Sequence, residues 1–482
     1  MKIKVTGVLS HILWSIFQRG GGLLIAFVAN MILSRLLTPE EFGGIGLVLI
    51  VVSMADLLVD SGLGAALIQK TNIDKKDIST VFTTNFIISV ALYIIIFFLS
   101  PFFERYFSVE HLSLYLRVVS ISILIRAFTV VESSLLQKQL RFKAMSIISV
   151  STAAVSSIVG IAMAACGFGI WSLVLRNLIQ HFVSAVLYRR SSRVPYKLGF
   201  DKESFRQLFG FGWFSALTSF MDLIYTNTLS SIIGKRYSVS DLGYYNQANS
   251  LQQVPTYSLS MVVNQVLFPH MSKIHENKEQ VRSYARRSFI VSSFVSFPLL
   301  MFLLCFAKPI IILLYSAKWE PSVIFFQILC AGGVLNTLVH ICRCILKSMG
   351  NTKLLFNVQL IMLLMGVGMF LFVRRFDMRI MVCTLVFNTI INWLILAIIV
   401  GKRLNYPFLY QLKDVLSPFV ISLCGLAASQ IVVILFSFNN FLSLLVAACV
   451  FFTLYIGINA LFKTKAFIIC YSLCIKQTII RH

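Results

Sequence analysis

The sequence predicts an all-α integral membrane protein of about 14 transmembrane helices, arranged as two six-helix bundles in parallel pseudo-repeat plus two C-terminal helices. Three observations predict it. Only 12% of the 482 residues are charged and 58% are hydrophobic, with a mean hydropathy of +0.86. A soluble domain carries about 25% charged residues. A chain with half that share and 42 phenylalanines cannot solvate a globular surface, so its solvent is lipid. Apolar stretches of about 20 residues, the length that crosses a bilayer, recur from end to end. And one polar turn, Thr38-Pro39-Glu40-Glu41-Phe42-Gly43, returns two hundred residues later as Ser238-Val239-Ser240-Asp241-Leu242-Gly243.

The first bundle is expected over residues 1–188, with spans at 12–36, 42–67, 80–100, 112–136, 145–166 and 169–187. The first span is too long for a cleaved signal and leads into Arg35 and a capped turn rather than a small-residue cleavage site. Gly20-Gly21-Gly22 lies within it; three glycines permit either a bend or a close helix contact. Thr38 and Glu41 have the spacing of a capping box, and Pro39 falls at the first helical position, where its missing N–H is harmless. A basic linker, 189–206, follows. It carries Arg189, Arg190, Arg193, Lys197, Lys202 and Arg206.

The second bundle is expected over 207–401, with spans at 208–233, 242–267, 288–314, 321–346, 354–373 and 380–400. Two further spans, 415–436 and 441–461, make up residues 402–462, and 463–482 forms a tail in which 466–475 lies at the interface. Residues 270–287 are polar and lack glycine and proline, which reads as an amphipathic surface helix. The duplication is supported again after the fourth span of each half, where Leu136-Gln137-Lys138 corresponds to Leu346-Lys347-Ser348.

The net charge of +24 invites a nucleic-acid reading, but the cations sit in short turns between apolar spans, so none is expected. Lysines and arginines in alternate connections outnumber those in the intervening turns by more than three to one. This bias puts both termini in the cytoplasm and draws the basic turns to anionic membrane lipids. The intervening turns are too short to hold an extramembrane domain. The ten cysteines lie almost wholly in apolar segments and read as buried free thiols; no pair has a histidine partner at metal-ligand spacing, so no metal, cofactor or catalytic residue is expected.

Three stretches carry a family resemblance: LSRLLTPEEFG from Leu33, SLLQKQLRFKA from Ser134, and FPHMSKIHENKEQVRSYARR from Phe268. Together they resemble the polysaccharide-exporter branch of the multidrug/oligosaccharidyl-lipid/polysaccharide superfamily, and most of all the Wzx-type colanic-acid and O-antigen flippases. The resemblance implies two six-helix bundles in a V with a cavity between them. It implies translocation, across the bacterial inner membrane, of an undecaprenyl-diphosphate-linked oligosaccharide from O-antigen, capsule or exopolysaccharide. It also implies membrane lipids, an H⁺ or Na⁺ coupling ion and a glycan polymerase as candidate partners.

Ionisable groups inside spans are expensive and are functional candidates by default. Arginine suits a diphosphate, because its fork binds two oxygens at once. Arg126 and Arg176 fall near the middle of their spans, beyond comfortable snorkelling, and read as lining a cavity or as interhelical bonds. Arg117 and Arg343 lie nearer span ends, where they either bind substrate or snorkel. Arg19 and Asp60 fall at one depth on adjacent antiparallel helices, about 10 Å in, and are expected to form an ion pair or a shared polar site, with Arg19 also a candidate to bind substrate. Asp56 and Asp60 share a helix face; with Asp222 they read either as a coupling-ion site or as a gate. Two rival functions remain: a cation-coupled multidrug antiporter of the same superfamily, and a membrane glycan polymerase. Central arginines disfavour the first. Short outer turns without paired carboxylates disfavour the second.

Overall fold

Among the described residues there are seventeen α-helices, one 3₁₀ turn and no strand. The structure is a computed structural model that describes residues 5–60, 62–70, 72–192, 198–262, 267, 271, 274, 277–436 and 440–471, with the side chains of 5–20, 211–216, 218, 257–262, 352, 435–436 and 440 left aside. The helices of the first half are α1 (Val5–Leu36), α2 (Pro39–Asp60), α3 (Leu63–Gln69), α4 (Lys75–Phe107), α5 (Leu112–Val119), α6 (Ile121–Lys138), α7 (Phe142–Ala165) and α8 (Ile170–Ser192). Then come α9 (Lys202–Arg236), α10 (Val239–Val262), α11 (Lys278–Cys305), α12 (Ala307–Tyr315), α13 (Ser322–Ser348), α14 (Thr352–Val373), α15 (Met378–Leu404), α16 (Phe408–Phe436) and α17 (Asn440–Leu461). Eleven segments are long and apolar enough to cross a membrane. The other three expected span positions are occupied by α1, α9 and α10.

The chain divides into two compact units, Met1–Asn246 and Gln247–His482. In the first, Leu63, Leu67, Val81, Phe82, Val131, Leu135 and Leu208 form a buried cluster that ties α3, α4, α6 and α9 together. The start of α9 is fastened to α4 by polar bonds: Gly199 N–H donates to Thr83 Oγ1 (3.0 Å) and Asp201 N–H to Thr80 Oγ1 (3.0 Å). Asp201 then caps α9 by accepting from Ser204 N–H at 2.8 Å. That backbone bond holds the Asp201 carboxyl below its usual range.

In the second unit, α11 is the element others pack on. Phe302 stacks on Phe451 of α17 at 5.5 Å, and Tyr455 Oη donates to the Phe294 carbonyl (2.9 Å). At the other end of α11, Arg286 makes a two-pronged bond to Asp414 of α16 (2.6 and 2.8 Å), and Tyr406 Oη donates to the same carboxylate (2.6 Å). Burial and this bond push the Tyr406 phenol up.

Both capped turns form as complete boxes. Glu41 N–H donates to Thr38 Oγ1 (3.3 Å) and Thr38 N–H to Glu41 Oε2 (2.7 Å); Asp241 N–H donates to Ser238 Oγ (2.9 Å) and Ser238 N–H to Asp241 Oδ2 (3.1 Å). The two turns also touch each other reciprocally. A Cβ on Gly43 would lie 1.8 Å from the Val239 carbonyl oxygen, and one on Gly243 would lie 1.9 Å from the Pro39 carbonyl oxygen. Glycine at both positions lets one helix start press its backbone against the other.

Several local expectations change. Helix α1 runs unbroken through Gly20–Gly22. Gly22 serves close packing instead, since a Cβ there would stand 2.7 Å from Ser149 Oγ of α7. The break lies in the second span: α2 ends at Asp60 and α3 begins after Gly62, whose φ of 71° a side chain would resist. The fourth span is also divided, into α5 and α6, at Ser120, where a β-branched stretch is a weak helix former and Ile123 N–H bonds the Ser120 carbonyl in a tightened turn. Lys278–Arg287 is no separate surface helix. Asn277 caps it by accepting from the N–H groups of Glu279 and Gln280, and it continues directly into α11. Most of 268–276 lies outside the described residues. Of the free thiols, Cys330, Cys342 and Cys344 are buried, whereas Cys166, Cys383, Cys424 and Cys449 are exposed. A lipid-facing surface is as apolar as a core, so composition alone does not separate the two.

Candidate functional site

Three helices of the first unit bring polar groups together in an apolar bundle. Helix α2 supplies Ser53, Asp56 and Asp60, α6 supplies Arg126, and α9 supplies Asn227. The register between α2 and α9 is fixed by Asn227 Nδ2, which donates to Ser53 Oγ at 3.3 Å. Asp56 and Asp60 then follow one turn apart on the same helix, with Asp60 at its last residue.

Arg126 is the centre of the group. Its Nε stands 3.8 Å from Asp56 Oδ1. The pair is not sealed: 35% of the Arg126 side chain and 17% of Asp56 remain exposed. Nε is buried and makes no hydrogen bond, so a side chain held at 3.8 Å can take an incoming anion without first leaving a tight bidentate pair. Asp60 lies two residues before Gly62, whose left-handed backbone interrupts the span. A Cβ on Gly64 would lie 2.8 Å from Asp60 Oδ1 and 2.9 Å from Ser134 Oγ, so a glycine at the start of α3 makes room for carboxylate and hydroxyl together. Interrupted helices at such sites are a recurrent transporter device, because they free backbone groups inside a span. Arg176 lies along α7, its stem 3.1 Å from where a Cβ on Gly160 would be.

The other sequence candidates are placed as follows. The side chain of Arg19 lies outside the described residues, so its expected pairing with Asp60 does too. Arg117 Nε donates to Ser100 Oγ (2.9 Å), and its guanidinium covers the Phe97 ring at 4.4 Å, at the α4–α5 end of the bundle. Asp222 is exposed on α9, five residues before Asn227. Arg343 is half-buried on α13 in the second unit, one turn from His340. The structure thus gathers Asp56, Asp60 and Arg126, and sets Arg117 and Arg343 elsewhere. Sequence reasoning missed Gly64 and Ser134, whose role depends on how α3 meets α6. Among the described residues no group of three or more His, Cys, Asp or Glu could hold a metal ion.

The polysaccharide biosynthesis protein family model matches residues 32–324, which includes both capped turns, Asp56, Asp60, Arg126 and Arg176. The chain belongs to that family. Its relatives include the teichuronic acid biosynthesis protein TuaB of Bacillus subtilis (25% identical over 417 residues, 83% of each chain). They also include the succinoglycan biosynthesis transport protein ExoT of Rhizobium meliloti (25% identical over 322 residues, 66% of this chain and 64% of that one). Among solved structures, the lipid II flippase MurJ in an inward closed conformation matches with a TM-score of 0.77, 16% identity, and coverage of 94% of this chain and 100% of that one. An inward-facing multidrug resistance transporter of the MATE family matches with a TM-score of 0.60, 15% identity, and 84% and 98% coverage. These likenesses establish a multi-pass helical membrane fold for this family member.

Proposed function

We propose that this chain is a flippase that moves a polyprenyl-diphosphate-linked oligosaccharide across the bacterial inner membrane by alternating access. The observation that carries the reading is Arg126, a partly exposed arginine side chain inside an apolar bundle, in a chain whose relatives are named for polysaccharide biosynthesis and transport. A diphosphate with a glycan attached needs a cation to neutralise it and polar side chains beside it; Arg126, Arg176, Asn227 and Ser53 supply both. The charge bias supports basic turns and both termini in the cytoplasm. The bundles at 1–188 and 207–401 are the proposed moving bodies, with 402–462 an added helix pair.

Asp56 and Asp60 have a second role in this scheme. They hold Arg126 when no substrate is present, and a coupling H⁺ or Na⁺ takes the carboxylates when the diphosphate takes the arginine. A multidrug antiporter fits less well: an organic cation would meet Arg126 and Arg176, and the overall match to the multidrug structure is weaker than to the flippase. No enzyme chemistry is assigned to the chain.

The test is replacement of Arg126 and of Arg176, each by alanine and by lysine, with membrane abundance measured alongside. Alanine is expected to abolish surface glycan and leave lipid-linked precursor on the cytoplasmic leaflet, with lysine partly active. Unchanged surface glycan in every variant overturns the cationic-site reading.

A further inference from the structure

The turn that follows the fourth span closes in the same way in both halves. After α6, Leu140 N–H bonds the Gln137 carbonyl and Arg141 N–H the Leu136 carbonyl, both at 3.0 Å. After α13, Gly350 N–H bonds the Lys347 carbonyl (3.1 Å) and Asn351 N–H the Leu346 carbonyl (3.0 Å). This paired closure puts one residue in the left-handed region. In the second half that residue is Gly350, at φ 75°, which adopts it freely. In the first half it is Leu140, at φ 55°, and the leucine side chain is 54% exposed. Here a leucine accepts backbone strain that its repeat counterpart avoids, and packing does not repay it.

The surroundings of Leu140 are strongly basic. Arg141 is exposed, and its Nη1 donates to the Ser191 carbonyl at the end of α8 (3.0 Å). That bond brings the turn beside Arg189 and Arg190. Arg189 is 47% exposed and lies 3.5 Å from Glu132 Oε1, a carboxylate with no exposed surface. On α7, exposed Lys143 stands one turn before Ile147, itself 53% exposed. Cations at helix C-termini and membrane surfaces are common. That alone does not explain a strained, exposed leucine.

We propose that the α6–α7 turn and the end of α8 form a surface site for a prenyl diphosphate. Arg141, Arg189 and Lys143 take the diphosphate oxygens, and Leu140 and Ile147 take the first isoprene units. The inference rests on the flippase reading and adds to it a loading site at the membrane surface, separate from the Asp56–Arg126 cluster. The same chemistry, phosphate beside hydrocarbon, is also offered by ordinary anionic phospholipids.

The test uses the full-length protein in phosphatidylcholine nanodiscs with farnesyl diphosphate as the probe, and a second set of discs containing phosphatidylglycerol. The L140G variant is expected to keep or raise the melting temperature, because it installs the residue found at 350, yet to weaken farnesyl diphosphate binding about tenfold. The R141A/K143A variant is expected to weaken it at least as much. Phosphatidylglycerol is expected to leave binding to the unmodified protein largely intact. Binding of either variant at the unmodified protein's affinity overturns the proposal, as does displacement of the probe by phosphatidylglycerol, which marks a general anionic-lipid patch. Absence of probe binding to the unmodified protein also overturns it. Failure of the flippase reading is seen separately, as a deletion strain that accumulates no lipid-linked precursor.

Discussion

Replacing Gly43 by alanine tests the reciprocal contact between the two capped turns. The added Cβ would fall 1.8 Å from the Val239 carbonyl oxygen and 2.7 Å from its carbonyl carbon. Both atoms are backbone, so no rotamer change relieves the clash. Restoring the 3.0 Å that real Cβ contacts respect requires the two helix starts to part by about 1.2 Å. Overpacking of this kind costs about 1–3 kcal/mol. That penalty falls only on conformations in which the capped ends touch, so it shifts their population by roughly 5- to 150-fold. Gly46 is the control. A Cβ there would meet Asn246 Nδ2 at 2.2 Å, a nominally severe clash, but with a side-chain amide that can turn away. The assay is surface glycan in cells that depend on the protein, together with thermal unfolding of the purified variants. Gly43→Ala is expected to lose export and Gly46→Ala to stay close to the unmodified protein. Equal export by both variants, or equal damage in both, refutes the reasoning.

Other perturbations test separate parts of the structure. Asp414→Asn breaks the two-pronged bond to Arg286 and is expected to lower stability by about 1–2 kcal/mol, less than for a sealed pair because Arg286 is 44% exposed; a melting temperature equal to that of the unmodified protein would count against the clamp. In a double-mutant cycle of Asp56→Asn and Arg126→Gln, the coupling is expected at about 0.5–1 kcal/mol, and zero coupling would show that the 3.8 Å pair does not form. Gly64→Ala drives a methyl group to 2.8 Å from Asp60 Oδ1 and is expected to reduce export with normal membrane abundance, measured by immunoblot. The Asp201 carboxyl is held below its ordinary value of 3.8, so its cap stabilises fully above that pH and weakens as pH falls through the lower folded value. Asp201→Asn keeps an acceptor for Ser204 N–H and is expected to remove this acid dependence from the unfolding profile.

What the sequence reveals here follows the range of each interaction. The capping boxes at Thr38 and Ser238 are three-residue events, so their spacing is visible directly and both form in full. The matching turns after the fourth spans were visible as Leu136-Gln137-Lys138 and Leu346-Lys347-Ser348, but the left-handed backbone at Leu140 was not, because nothing in a leucine announces it. Depth arguments set Arg19 against Asp60 because they lie on consecutive helices. They could not reveal that Arg126, two spans further on, stands beside Asp56, since that depends on which faces of α2 and α6 meet. The three glycines of the first span allowed either a bend or a close contact; the helix runs straight through them, packs Gly22 on Ser149, and the break falls instead at the single Gly62. Hydropathy counts apolar residues and is blind to φ. Lipid-facing and core-facing residues are equally apolar, so the reciprocal contact of Gly43 and Gly243 left no trace in composition.

The proposed activity is movement of a prenyl-diphosphate-linked glycan across a bilayer. It is tested most directly in proteoliposomes loaded with a fluorescent prenyl-diphosphate-linked oligosaccharide, with label on the outer leaflet quenched chemically. The unmodified protein is expected to speed equilibration of the label between leaflets, and Arg126→Ala is not. Equilibration no faster than in protein-free vesicles, with the protein folded and correctly inserted, would contradict the proposed activity.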